Sequence, residues 1–124
     1  MPGLPSLASS VAQLLLALLV LSFPSASRAQ ADASSRALAV QLFAAAEPLL
    51  AKGKVGQACP KYAESYRLDP QLGALIYLAE CYEKNGQLAS AWGSFREADE
   101  LARKRGDARG EQARKRAEAL EPRL

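Results

Sequence analysis

Apolar residues recur at three- and four-residue steps through Leu75, Leu78, Ala79 and Tyr82, pause at Asn85-Gly86, and resume through Leu88, Ala91, Trp92, Phe95, Ala98 and Leu101. Such spacing lines one side of an α-helix, and a glycine after an asparagine suits a left-handed helix stop. The pattern predicts a helical hairpin with helices over 72–84 and 88–104. Set back so that Leu75 lands on Leu42, the same register falls on Ala45, Ala46, Leu49, Gly53, Ala58, Tyr62 and Ser65, with Glu47 beneath Glu80 and Glu64 beneath Glu97. The chain thus contains a doubled unit, with copies over about 39–71 and 72–104.

In the first copy, a helix over 36–52 is predicted, capped by Ser34 or Ser35 and carrying Leu38, Leu42, Ala46 and Leu49 on one stripe. Pro48 withholds one backbone bond, a defect that costs about 3 kcal/mol unless packing compensates. The second helix is expected to start near Val55 to Gln57, so that Pro60 falls in its first turn, where a proline forfeits no helical bond. Asp69-Pro70 ends it, because the residue before a proline is pushed out of the helical region. Beyond Gly106, Asp107 is placed to cap an end helix over 107–121, whose stripe of Ala113, Ala117, Leu120 and Leu124 is narrow and whose early Gly110 weakens it. This segment reads as a solvating cap on the fourth helix. The implied fold class is all-α: antiparallel helix-turn-helix repeats in a short α-solenoid of about two units plus a C-terminal capping helix.

The N-terminal stretch has a different character. Val11 to Phe23 is mostly apolar and leads to Ser27-Arg28-Ala29, with small residues at the two positions a signal peptidase reads. The run is shorter than the roughly 20 apolar residues of a membrane span. Residues 1–29 are therefore expected to be a secretory signal, 30–35 a flexible N-terminus and 36–124 the helical domain, in a protein that is exported, periplasmic or secreted, with no stable membrane span after cleavage. Export bears on Cys59 and Cys81, the two cysteines of the chain. In an oxidising compartment they read as a disulfide, and otherwise as two small buried core residues; the deciding quantity, their Cα separation, is not in the sequence.

Composition narrows the chemistry. The chain has no histidine, so no Ser-His or Cys-His pair exists, and two cysteines a whole helix apart do not make a zinc site. Its glycines are scattered through turns and helices rather than gathered in a phosphate loop. No enzyme activity, cofactor or metal is expected. A net charge of +3 with a pI near 9.0 is modest, and the two basic runs, Arg103-Lys104-Arg105 and Arg114-Lys115-Arg116, sit among acidic residues. Nucleic acid is not an expected partner, since such proteins concentrate basic residues on one face.

The doubled register resembles the tetratricopeptide repeat, a helix-turn-helix unit of about 34 residues. The second copy carries the resemblance in Leu75, Leu78-Ala79, Tyr82, Gly86, Ala91, Phe95 and Ala98, and the first in Leu42, Ala45-Ala46, Leu49, Gly53, Ala58, Tyr62, Ser65 and Pro70. It departs from the family in having leucine at the first aromatic position of both copies, alanine in place of the glycine after the signature leucine, and Arg103 where Pro70 closes the first copy. The outline is similar to that of short exported bacterial members. The resemblance implies protein or peptide binding on the face lined by the first helix of each pair, which offers Phe43, Glu47 and Leu50 from one copy and Ile76, Tyr77, Glu80 and Glu83 from the other. An apolar groove with acidic points suits an apolar or basic segment. Two other readings stand beside it: a structural module that self-associates to complete a core of fewer than three repeats, and the N-terminal part of a larger envelope protein. A weaker option is contact with an anionic polymer or membrane surface through Arg103, Lys104, Arg105, Arg114, Lys115 and Arg116.

Overall fold

The structure, a computed structural model, describes Gly3 and residues 24–124. Among the described residues five helices follow one another with short connections: α1 (Pro24–Ala51), α2 (Val55–Leu68), α3 (Leu72–Lys84), α4 (Leu88–Arg105) and α5 (Arg109–Leu120), closed by a 3-10 turn over Glu121–Arg123. No strand occurs among the described residues. The fold is all-α, with α2, α3, α4 and α5 each packed on its neighbour in sequence. The chain divides into two compact units between Ser34 and Ser35, and the helical hairpins belong to the second, Ser35–Leu124.

The doubling seen in the sequence is a doubling of backbone geometry. α1 and α3 end at Ala51 and Lys84, and α2 and α4 begin at Val55 and Leu88, so both boundaries recur at one and the same step along the chain. Gly53 and Gly86 take φ of 74° and 75°, the left-handed region that favours glycine. The Gly53 and Lys54 amides donate to the carbonyls of Leu50 and Leu49 (3.1 and 2.8 Å), and the Gly86 and Gln87 amides to those of Glu83 and Tyr82 (3.1 and 2.9 Å). Both helices thus stop with the same pair of reversed bonds, which satisfy carbonyls that a helix end leaves open.

Small residues set the packing distance. Ala46, Ala58, Ala79 and Ala91 have no exposed surface, so the helix backbones approach closely and Tyr62, Leu75 and Phe95 fill the space between them. Ser65 replaces the alanine of the second copy, Ala98, and its hydroxyl donates to the Ala39 carbonyl at 2.8 Å, tying α2 to α1. Gly110 lets α5 descend onto α4: a Cβ there would lie 2.8 Å from the Ala102 Cβ. The glycine that looks like a weakness in sequence is the point of closest approach between two helices. Asp107 prepares that approach, its carboxylate accepting the Arg109 amide at 3.0 Å and the Arg109 guanidinium at 3.0 and 2.7 Å. These bonds hold its carboxyl down at about 2. Cys59 of α2 and Cys81 of α3 form a disulfide across a Cα separation of 5.5 Å, joining the first hairpin to the second.

Three expectations need correction. α1 is already helical at Pro24, well before Arg36, so Ser34 and Ser35 lie inside a helix, and residues 30–35, expected as a flexible N-terminus, are helical. Ala29, Ala31 and Ala33 favour helix through this stretch. Pro60 is the sixth residue of α2, past the first turn, and so withholds a bond from the carbonyl of Gly56, an exposed residue with no side chain to crowd the ring. Leu124 does not join the α5 stripe and is exposed. The apolar run of the expected secretory signal, Val11 to Phe23, lies outside the described residues, and no described helix is long and apolar enough to cross a membrane.

Candidate partner-binding face

α1 and α3 share a face because each is the first helix of its hairpin, and the repeat sets their equivalent positions side by side. Phe43 of α1 and Tyr77 of α3 meet there, with ring centroids 5.0 Å apart and edge to face. Tyr62 of α2 rises between them, 5.2 Å from Phe43 and 5.7 Å from Tyr77. Edge-to-face rings place the positive rim of one against the negative face of another, which stabilises such clusters beyond their buried area. Tyr77 keeps 40% of its surface exposed, whereas Tyr62 has none.

The Tyr62 hydroxyl is buried and has no hydrogen-bond partner among the described residues. Its ionisation is pushed up to about 12, first by burial and then by the negative charge of Glu47, the neighbouring Tyr77 and Glu80. The two carboxylates belong to the turns after the aromatic residues, Glu47 one helical turn beyond Phe43 and Glu80 one beyond Tyr77. They sit in register in the two copies. Glu47 is exposed and has no ion-pair partner among the described residues.

An apolar groove of about 270 Å³ opens beside the aromatic trio. Val40, Phe43 and Ala44 form its α1 wall and Gly73 and Ala74 its α3 wall, with Ser65 and Asp69 from the end of α2 at its base. Val40 is 67% exposed. Its counterpart in the second copy is Gly73. Sequence reasoning passes over Val40, Gly73 and Tyr62: the first two fall outside the packing stripe, and the third reads as core.

The sequence-predicted residues divide. Phe43 and Tyr77 meet, and Glu47 and Glu80, one helical turn beyond them, are near enough for their charge to act on Tyr62. Ile76 packs against the core, as does Leu50. Glu83 is taken by the chain itself: it accepts the Arg116 guanidinium at 2.5 Å and lies 3.7 Å from that of Arg123. Arg116 also reaches Glu80 at 3.8 Å and lies over the Phe95 ring at 5.0 Å. Glu83 therefore anchors α5 and is not free to meet a partner. The basic runs are similarly engaged. Arg103 pairs with Asp99, Lys104 with Glu100, Arg114 with Glu118 and Lys115 with Glu111, at 3.6, 2.9, 3.9 and 2.8 Å, and Arg105 donates to the Pro70 carbonyl at 3.1 Å. Exposed pairs of this kind are weak, but they intersperse the two signs and leave no concentrated basic face among the described residues. Nor is any group of three His, Cys, Asp or Glu side chains among the described residues placed to hold a metal ion. Comparison with protein-family models, with curated proteins and with solved structures returns no match.

Proposed function

We propose that the chain is a non-enzymatic protein-interaction module of the tetratricopeptide type, exported from a bacterial cell, that holds a segment of a partner protein on the face shared by α1 and α3. The observation that carries the reading is the exposed apolar groove between Val40, Phe43 and Ala74, bordered by the exposed ring of Tyr77. Apolar side chains left facing solvent around a concavity are what a binding face requires. The repeat assignment is supported by the recurrence of helix ends, glycine stops and buried alanines in the two copies, and export by the Cys59–Cys81 disulfide, a bond that persists in oxidising compartments.

The test is selection from a random peptide library displayed on phage, with the oxidised chain immobilised. Binding peptides are expected to carry an apolar anchor and to shift the nuclear magnetic resonance signals of Val40, Phe43 and Gly73 when titrated. A light-scattering series at rising concentration runs beside it, and a constant monomer mass is expected. Failure to enrich any peptide, with mass growing as concentration rises, would replace the reading with self-association.

A further inference from the structure

Resting on the partner-binding reading above, we propose that the locus between Glu47 and Glu80, with the buried Tyr62 hydroxyl at its base and Phe43 and Tyr77 at its sides, receives the cationic side chain of a lysine or arginine on the bound segment. The hydroxyl is the first reason. A buried polar group without a partner opposes folding, and the fold does not need this one. The equivalent position in the second copy is Phe95, just as buried, which packs the same ring without the oxygen. An oxygen kept at a structural cost, within the field of two carboxylates, is placed for a partner that the described residues do not supply.

Charge supplies the second reason. Glu47 has no ion-pair partner among the described residues, and Glu80 is only the secondary contact of Arg116, at 3.8 Å against 2.5 Å to Glu83. A cation entering here finds two carboxylates, a hydroxyl oxygen that can accept a hydrogen bond from its N–H, and aromatic surface that favours positive charge. The chain also contains a filled instance of this chemistry. In the second copy Arg116 lies over the Phe95 ring and bonds carboxylates of α3, Glu80 among them. In the first copy Tyr62 and Glu47 stand at the matching positions and the described residues bring no cation to them; the Tyr77 ring neighbours Tyr62 instead. The adjoining groove shares Phe43 with this locus, so one segment carrying a basic residue next to an apolar one fills both.

Titration with Nα-acetyl-lysinamide, Nα-acetyl-argininamide and the neutral isostere Nα-acetyl-norleucinamide, followed by nuclear magnetic resonance at the Tyr62 and Tyr77 rings, tests the proposal. At least one cationic amide should give saturable shifts with millimolar affinity and the norleucine amide none. Glu47→Gln should weaken binding by roughly tenfold, the scale of a lost charge-assisted contact. Tyr62→Phe should weaken binding severalfold while raising the melting temperature of the free chain by about 5 °C, as removal of an orphaned buried hydroxyl from a domain of this size implies. That opposite movement is one a purely structural tyrosine would not show. Equal shifts with norleucinamide, or affinity unchanged in Tyr62→Phe and Glu47→Gln, would overturn the cation site. Should library peptides without basic residues bind the groove and ignore Glu47→Gln, the cation site falls and the groove stands; should the amides bind as proposed while no peptide enriches, the reverse holds.

Discussion

Tyr62 and Phe95 hold the same place in the two copies and differ by one oxygen, yet that oxygen separates a packing residue from one with chemical consequences. Its environment predicts a specific alkaline behaviour. Tyr62 is pushed up to about 12 by burial and then by Glu47, and Tyr66 to about 12 by burial and then by the hydrogen bond it donates to Glu97 at 2.8 Å. Folding therefore favours the neutral phenols, and the stability they contribute is present below pH 10 and lost as pH rises through 12. A phenolate absorbance titration should show two of the four tyrosines ionising late, together with loss of helical signal, and Tyr62→Phe should remove one of the late groups. Ionisation of all four at the ordinary phenol value with the helices intact would contradict this burial. Sequence makes Tyr62 legible as core, through its spacing from Ala58. It does not reveal the stranded hydroxyl, because that depends on what α1 and α3 bring above it. The same holds for Glu83, whose partner Arg116 lies 33 residues away on a helix that breaks the repeat register.

Among the helices and turns, the turns are the most legible in sequence: Gly53 and Gly86 punctuate amphipathic segments, and local backbone chemistry alone decides their conformation. The start of α1 is not legible, since small polar residues such as Ser34 and Ser35 cap helices and populate loops alike, and only continuity from Pro24 distinguishes the cases. The role of Gly110 is also hidden, because close approach is a tertiary property. Two glycines now give opposite expectations. Gly110→Ala places a methyl group 2.8 Å from the Ala102 Cβ and should destabilise by about 1–3 kcal/mol, the usual cost of overpacking. Gly93→Ala, inside α4 with nothing within 4 Å of the new Cβ, should stabilise by about 0.5–1 kcal/mol through helix propensity. Urea unfolding of both variants checks the pair, and a Gly110→Ala chain as stable as Gly93→Ala would show that α5 does not rest on α4 at this point.

For the whole domain, two hairpins and a cap bury less than the three repeats usually needed for a self-sufficient stack, and the structure meets the shortfall in two ways. α5 closes the second hairpin through Ala113, Ala117 and Leu120 and the Arg116–Glu83 pair. The disulfide joins the first hairpin to the second across a sequence separation of 22. Closing a loop of that length stabilises by about 3 kcal/mol in the chain-entropy account, so the Cys59→Ala/Cys81→Ala double variant should lose about that much in urea unfolding under non-reducing conditions. An unchanged midpoint would mean that the hairpins hold together without the bond. The pairing itself is half legible: cysteine number and the apparent export signal suggest it, while the Cα separation of 5.5 Å requires the packing of α2 on α3.

Whether the face shared by α1 and α3 holds a partner segment is decided by calorimetric titration of a library-selected peptide against three chains. The unsubstituted chain should bind. Val40→Asp, which sets a charge at the mouth of the groove, should reduce affinity by at least about tenfold, as a charge forced against apolar surface implies. Ala89→Asp, at an exposed position of α4, should bind as the unsubstituted chain does. A peptide that binds Val40→Asp unchanged, or that is lost equally with Ala89→Asp, would contradict the assignment and move the binding surface elsewhere.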